Sequence, residues 1–210
     1  MTKKLFDTDA YLQECTAKVL SITGKEVVLD QTVLFSFNGG QAGDSGTINE
    51  ITVQESRIDN ENIIYTLTQE PNFSVGDEVP VKVDWIKRHK IMRNHSATHI
   101  VYEFIKERLC LTEVIGSNVD ETKGRCDYVF EEQISKYLPE IEQKTNDFIK
   151  QNKEIKRYTL SDGTMIWESE NIKQHCCGTH LKNTSEIGMV KLKRKNIGKG
   201  KERVEVYTES

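Results

Sequence analysis

The chain has 210 residues, with 29 Lys and Arg against 33 Asp and Glu, a formal net charge of −4, 36% hydrophobic residues and 30% charged residues. This length allows one large domain or two small ones with a buried core, and the acidic balance argues against a generally basic nucleic-acid binder. No apolar run approaches the roughly 20 residues needed to span a bilayer, and acids follow the N-terminus too soon for a signal peptide, so the chain reads as cytoplasmic.

In chain order, residues 14–84 read as β-rich. "AKVLSITGKEVVLD" alternates and turns at Gly24-Lys25, "TINEITVQESRIDNENIIYTLTQE" holds two strands around a polar turn near Asn60, and "VGDEVPVKVDW" holds another. Short strands at such intervals predict a small barrel. "FSFNGGQAGDSG", with four glycines, reads as a loop. The pattern changes near Trp85. From Met92 a helix is expected, because Ile100, Val101, Phe104, Ile105 and Leu109 fall at helical spacing, and Asn94 is placed to cap it. "GSNVDETKGRCDYVFE" reads as loop then strand. A second helix fits from Glu131 through Ile134, Leu138, Ile141, Phe148 and Ile149, with Pro139 breaking it or marking its true start. "GMVKLKRKNIGKGKERVEVYTES" reads as a hairpin. The expected organisation is an N-terminal β domain followed by an α+β domain.

Chemistry-bearing residues cluster. Cys15, Cys110, Cys126, Cys176 and Cys177 are odd in number and include an adjacent pair, a poor disulfide framework. His95 and His99 stand one turn apart on the first helix, on one face. Ser96 follows His95 where a zinc protease helix would carry its catalytic Glu, so peptide-bond chemistry of that type is not expected. Far along the chain, "QHCCGTH" sets Cys176 and His180 four apart. Imidazole and thiolate together suit zinc. Spacing alone leaves Cys177 and His175 open as ligands, and leaves open whether the ion is structural or catalytic. The tail is basic: Lys191, Lys193, Arg194, Lys195, Lys199 and Lys201 suit a polyanion touching one face, or else a solvated edge strand protected by lysines.

These motifs together resemble the editing domain of alanyl-tRNA synthetase, and more closely the free-standing AlaX-type trans-editing proteins. "VDWIKRHKIMRNHSATHIV" is similar to the family's segment leading into its H-x-x-x-H helix. "CCGTHLKNTSEIG" is similar to its C-G-G-T-H motif, with Cys177 in place of the first glycine. "TVLFSFNGGQAGDSGTI" is similar to its glycine-rich motif, with Asn38 and Ser36 departing from it. The resemblance implies an α+β fold, a small β-barrel domain over 1–86 and a zinc-binding α/β sandwich over 87–210; it implies that His95, His99, Cys176 and His180 hold Zn2+, and that Thr32, Gly39, Gly40 and Gln41 line and position an amino-acid pocket. It implies hydrolysis, in trans and without ATP, of Ser-tRNA(Ala) and Gly-tRNA(Ala), with the basic tail touching tRNA phosphates; a monomer is the default expectation. The rival reading on spacing alone is a non-catalytic RNA-binding module stabilised by a closed zinc site.

Overall fold

A computed structural model describes residues 1–198 and 200–209. It divides into two units, Met1–Asn38 with Ala42–His89, and Gly39–Gln41 with Lys90–Ser210. The first unit holds β1 (Lys3–Lys4), β2 (Glu14–Thr23), β3 (Glu26–Leu29), β4 (Gln31–Thr32), β5 (Gly46–Ile48), β6 (Ile51–Asp59), β7 (Asn62–Leu67) and β8 (Glu78–Val83). Alternation aims Ala17, Val19, Val27, Leu29, Ile63, Tyr65, Leu67, Val79 and Val81 into one core, as period-2 side-chain placement requires. The turns fall at Gly24 and Asn60, both at positive φ.

Two strands do double duty in this unit. The first half of β2 pairs with β8, and its second half pairs with β3 after a register shift between Val19 and Ser21. β6 pairs with β5 near its start and with β7 along its length, shifting between Val53 and Glu55. Bulges of this kind let one strand bend from one sheet into the next.

Strands β2, β3, β7, β6, β5 and β8 close in that order into a barrel, with β2 and β6 bending across its corners. The expected fold is corrected in the second unit. In place of an α/β sandwich, the second unit carries two separate antiparallel sheets packed with helices, a mixed α+β sandwich. An α/β layer needs βαβ crossovers between parallel neighbours, whereas most successive strands here are joined by short turns.

Part of the glycine-rich segment is structural. Asp44 accepts from the Phe35 amide at 2.6 Å and pairs with Arg88, and both side chains are fully buried. Arg88 also donates to the carbonyls of Val33 and Ala10. A buried charge is tolerated only when paired and hydrogen-bonded in this way.

The long helix α1 (Trp85–Leu109) starts before the expected Met92. Asp84 accepts from the Lys87 amide and thus caps it. Asn94 lies buried inside the helix and joins the Asp120 carbonyl and the Thr208 hydroxyl. The charged run Lys87–Lys90 hid the first turns from a periodicity argument. The second unit continues with β9 (Gly116–Val119), β10 (Gly124–Val129), α2 (Leu138–Lys150), β11 (Lys156–Thr159), β12 (Met165–Ser169), β13 (Ile172–His175), β14 (Met189–Asn196) and β15 (Lys201–Glu209). Pro139 sits in the first turn of α2, where its missing N–H costs nothing. One sheet runs β14-β15-β10-β9 and the other β11-β12-β13. The helix α2 buries Leu138, Ile141, Phe148 and Ile149, and Asn146 clasps the Val190 backbone at both its N–H and C=O.

Candidate metal centre and its cavity

The helix α1 delivers His95 and His99 side by side, their rings stacked with centroids 5.0 Å apart. The turn leaving β13 delivers Cys176 and His180. The four ligand atoms lie within 4.8 Å of one another, with Cys176 Sγ 3.0 Å from His180 Nε2 and 3.5 Å from His95 Nε2. His99 Nε2 is buried without a hydrogen-bond partner among the described residues. Such a buried orphan asks for an explanation, and an ion at the centre of this cluster supplies it.

Each imidazole is held from behind through Nδ1. Gln41 Oε1 lies 2.7 Å from His95 Nδ1, Gln174 Oε1 lies 2.5 Å from His99 Nδ1, and the Ser96 hydroxyl lies 3.4 Å from His180 Nδ1. An amide oxygen can only accept, so His95 and His99 carry their proton on Nδ1 and turn an unprotonated Nε2 inward. This is how metal-ligating histidines are oriented. Trp167 stacks on His99 at 4.8 Å. Burial, reinforced by neighbouring rings and Arg157, holds His95 and His180 well below the ordinary imidazole range. Burial brings His99 down to about 4 and pushes the Cys176 thiol up to about 12. Three neutral nitrogens and one thiol, which would lose its proton on binding, form a donor set that fits zinc.

Gly178 makes the arrangement possible. A Cβ there would stand 2.3 Å from Gln41 Oε1 and 2.4 Å from His95 Cε1, so only glycine lets these groups close on the turn. Gly40, at φ +83, has the Ser117 carbonyl 3.0 Å from where its Cβ would be. A cavity of about 600 Å³ opens beside the ligands and is lined in part by Gly39, Gly40, Asn118, His175 and Cys177. No carboxylate lines it among the described residues.

The expected site residues therefore sort themselves. His95, His99, Cys176 and His180 come together, while Cys177 and His175 border the cavity instead. Gly39 and Gly40 line the cavity. Gln41 is buried and reaches His95 and Thr179. Thr32 lies in the interior of the first unit, where its hydroxyl meets Tyr65 and the Leu34 amide. In the tail, Lys191 pairs with Glu142 and Arg194 with Glu202. Lys193 sits over the Tyr207 ring, Lys195 and Lys201 are exposed, and Lys199 lies outside the described residues.

Sequence reasoning missed Ser96 and Gln174 as holders of His180 and His99, and missed the β11–β13 sheet that carries Gln174. The Asp-Gly turn at 162–163 between "YTLS" and "TMIWES" was the available signal for that sheet. Nothing local marks Ser96 or Gln174, because their roles depend on partners far away in sequence.

An α+β unit that gathers three imidazoles and a thiol beside a cavity defines a metal-site domain. Residues 168–205 match the family described as the threonyl and alanyl tRNA synthetase second additional domain. The chain is 39% identical over 215 residues to the alanyl-tRNA editing protein AlaX-M of Pyrococcus horikoshii, covering 100% of this chain and 99% of that one. It is also 34% identical to an alanine–tRNA ligase of Methanococcus maripaludis and 33% identical to one of Sulfurisphaera tokodaii. It spans 26% and 24% of those two ligases. The chain belongs to the family of alanyl-tRNA editing proteins, and is a hydrolase of that family. Among the described residues, no helix is long and apolar enough to cross a membrane.

Proposed function

We propose that the protein hydrolyses, in trans, the ester joining serine or glycine to alanine tRNA, with zinc held by His95, His99, Cys176 and His180. The observation that carries this reading is the four-ligand cluster, within 4.8 Å, opening onto a cavity of about 600 Å³. That volume is in the range of small-ligand pockets. The need for such an activity is physical. A pocket built for alanine cannot strongly reject glycine, which lacks one methyl, or serine, which adds one hydroxyl.

A bound zinc ion would supply a Lewis acid beside the ester carbonyl. The protein's own part is positioning. Gln41, Gln174 and Ser96 hold the three rings in one orientation. Gly39 and Gly40 bring backbone close to the substrate where a side chain would block it. With no carboxylate among the described residues that line the cavity, orientation of an already reactive ester does much of the work. The reaction consumes no ATP, and a monomer in the cytoplasm, where charged tRNA is found, suffices for it.

A panel of mischarged tRNAs tests this. Purified protein loaded with zinc is expected to deacylate Ser-tRNA(Ala) and Gly-tRNA(Ala) and to spare Ala-tRNA(Ala). If both mischarged tRNAs survive intact while the protein retains its metal, the reading is wrong and a non-catalytic RNA-binding module takes its place.

A further inference from the structure

The sheet β14-β15-β10-β9 has two faces. Gly124, Cys126, Val190, Val204 and Val206 are buried on one of them, where a Cβ on Gly124 would meet Thr98 and Asn94 of α1. Paired residues share a face, so the registers define what the other side presents. One cross-strand row reads Asn118, Arg125, Glu205, Lys193, and the next reads Gly116, Asp127, Arg203, Lys195. Lys191 pairs with Tyr207, and Lys201 with Val129, on this same side. On a chain with net charge −4, cations dominate this face.

Of the acids on it, Asp127 and Glu205 are engaged, and Glu209, opposite Met189 at the end of the sheet, is exposed. Asp127 accepts from Arg203 at 2.7 and 2.8 Å and from Arg125 at 2.6 Å. Glu205 accepts from Lys123 at 2.5 Å and from the Tyr207 hydroxyl. These acids fix the cations in place without cancelling their sum. Lys193 and Lys123 both lie over the Tyr207 ring, at 4.9 and 5.8 Å. Along β14 the lysines recur at every second residue, a spacing of about 7 Å. Arg194 points the other way, toward Glu202.

The basic face meets the cavity at one residue of the edge strand β9, whose other cavity-lining residues, Ser117 and Val119, lie on the buried face. Asn118 lines the cavity, donates to the Gly40 carbonyl at 3.0 Å, and begins the row that passes through Arg125 to Lys193. We infer that the open face of this sheet, with Arg125, Lys193, Lys195 and Arg203 at its centre, is the docking surface for the phosphate backbone of an RNA strand whose 3′ end enters the cavity. This rests on the proposed function and deepens it. The interface is a sheet face assembled from β10, β14 and β15, with Lys123 from the turn before β10, and not a basic tail. Recognition of this kind sets affinity and salt dependence, not base sequence.

The test uses the full chain and three proteins: wild type, the double variant Lys193→Ala/Lys195→Ala, and a charge-matched control, Lys144→Ala/Lys150→Ala, on α2. Two probes are applied to each, an uncharged RNA hairpin copying an alanine tRNA acceptor stem and the seryl ester of adenosine. The sheet variant is expected to lose about tenfold in hairpin affinity near 0.1 M salt, and its log–log salt slope should shrink by about 1.5 to 2, for two lost phosphate contacts. The control should keep wild-type affinity and slope, and all three should hydrolyse the small ester with equal kcat and KM. Unchanged hairpin binding in the sheet variant, or an equal loss in the control, overturns the inference. Survival of Ser-tRNA(Ala) and Gly-tRNA(Ala) with the zinc-loaded wild type sinks the proposed function instead, while the hairpin titrations still decide the docking surface.

Discussion

Replacing Gln174 by Ala removes the acceptor that orients His99. The wild-type carboxamide makes two bonds to that residue, its Oε1 at 2.5 Å from Nδ1 and its Nε2 donating to the His99 carbonyl at 3.0 Å. The second bond is to a helix carbonyl, so its loss costs little. The first selects the tautomer that leaves Nε2 unprotonated. Outer partners of ligand histidines are worth about 10–100-fold in metal affinity, or about 1.4–2.7 kcal/mol. His99 is also packed between Trp167 and His95, which limits how far its ring can turn, so the lower part of that range is expected. Competition with a chromophoric chelator measures the zinc affinity, and the visible spectrum of the cobalt-substituted protein reports the ligand geometry. Gln174→Glu retains an acceptor at the same place and should recover affinity to within about threefold of wild type. A Gln174→Ala protein that binds zinc as tightly as wild type would refute the orienting role.

Three further outcomes follow from other parts of the structure. Gly178→Ala places a methyl 2.3 Å from Gln41 Oε1 and 2.4 Å from His95 Cε1; both groups are hydrogen-bonded in place, so the variant should lose its metal on gel filtration, and full metal retention would contradict the geometry. Asp127 is pushed upward by burial, but Arg203 and Arg125 together hold it below its ordinary 3.8. Its stabilisation is therefore present above about pH 4 and fades as pH falls through the lowered value. Asp127→Asn should cost about 2 kcal/mol in urea titrations at pH 7, with the difference from wild type narrowing at pH 3; a pH-independent difference would be evidence against the ion pair. Asp44→Ala strands the fully buried Arg88 charge and should cost about 3–5 kcal/mol; a loss under about 1 kcal/mol in the same titration would show the pair to be dispensable.

Much of the centre was legible because ligands must be particular residue types at particular spacings. Two histidines one turn apart on a helix face each other whatever surrounds them, and Cys176 with His180 brackets a glycine that the fold turns out to need. The β-rich first half was legible too, because alternation and turn residues are local. The start of α1 was not. Arg88 is buried, yet it reads as a surface residue until Asp44 is placed beside it. The β11–β13 sheet escaped notice because its strands are short and only partly apolar, although an Asp-Gly turn marks it.

The sequence by itself determined which atoms are available for metal chemistry, which segments alternate as strands, and that cations gather near the C-terminus, since composition and short-range periodicity need no partner. Only the tertiary structure decided how those cations divide. Strand register sends Lys193 and Lys195 to one face and Arg194 to the other, and joins the first two to Arg125 from far upstream. Likewise only the fold brings Gln41, Gln174 and Ser96 behind the three histidines. Side-chain period is local, but which strand lies beside which, and which amide reaches which ring, depends on long-range pairing that no single segment encodes.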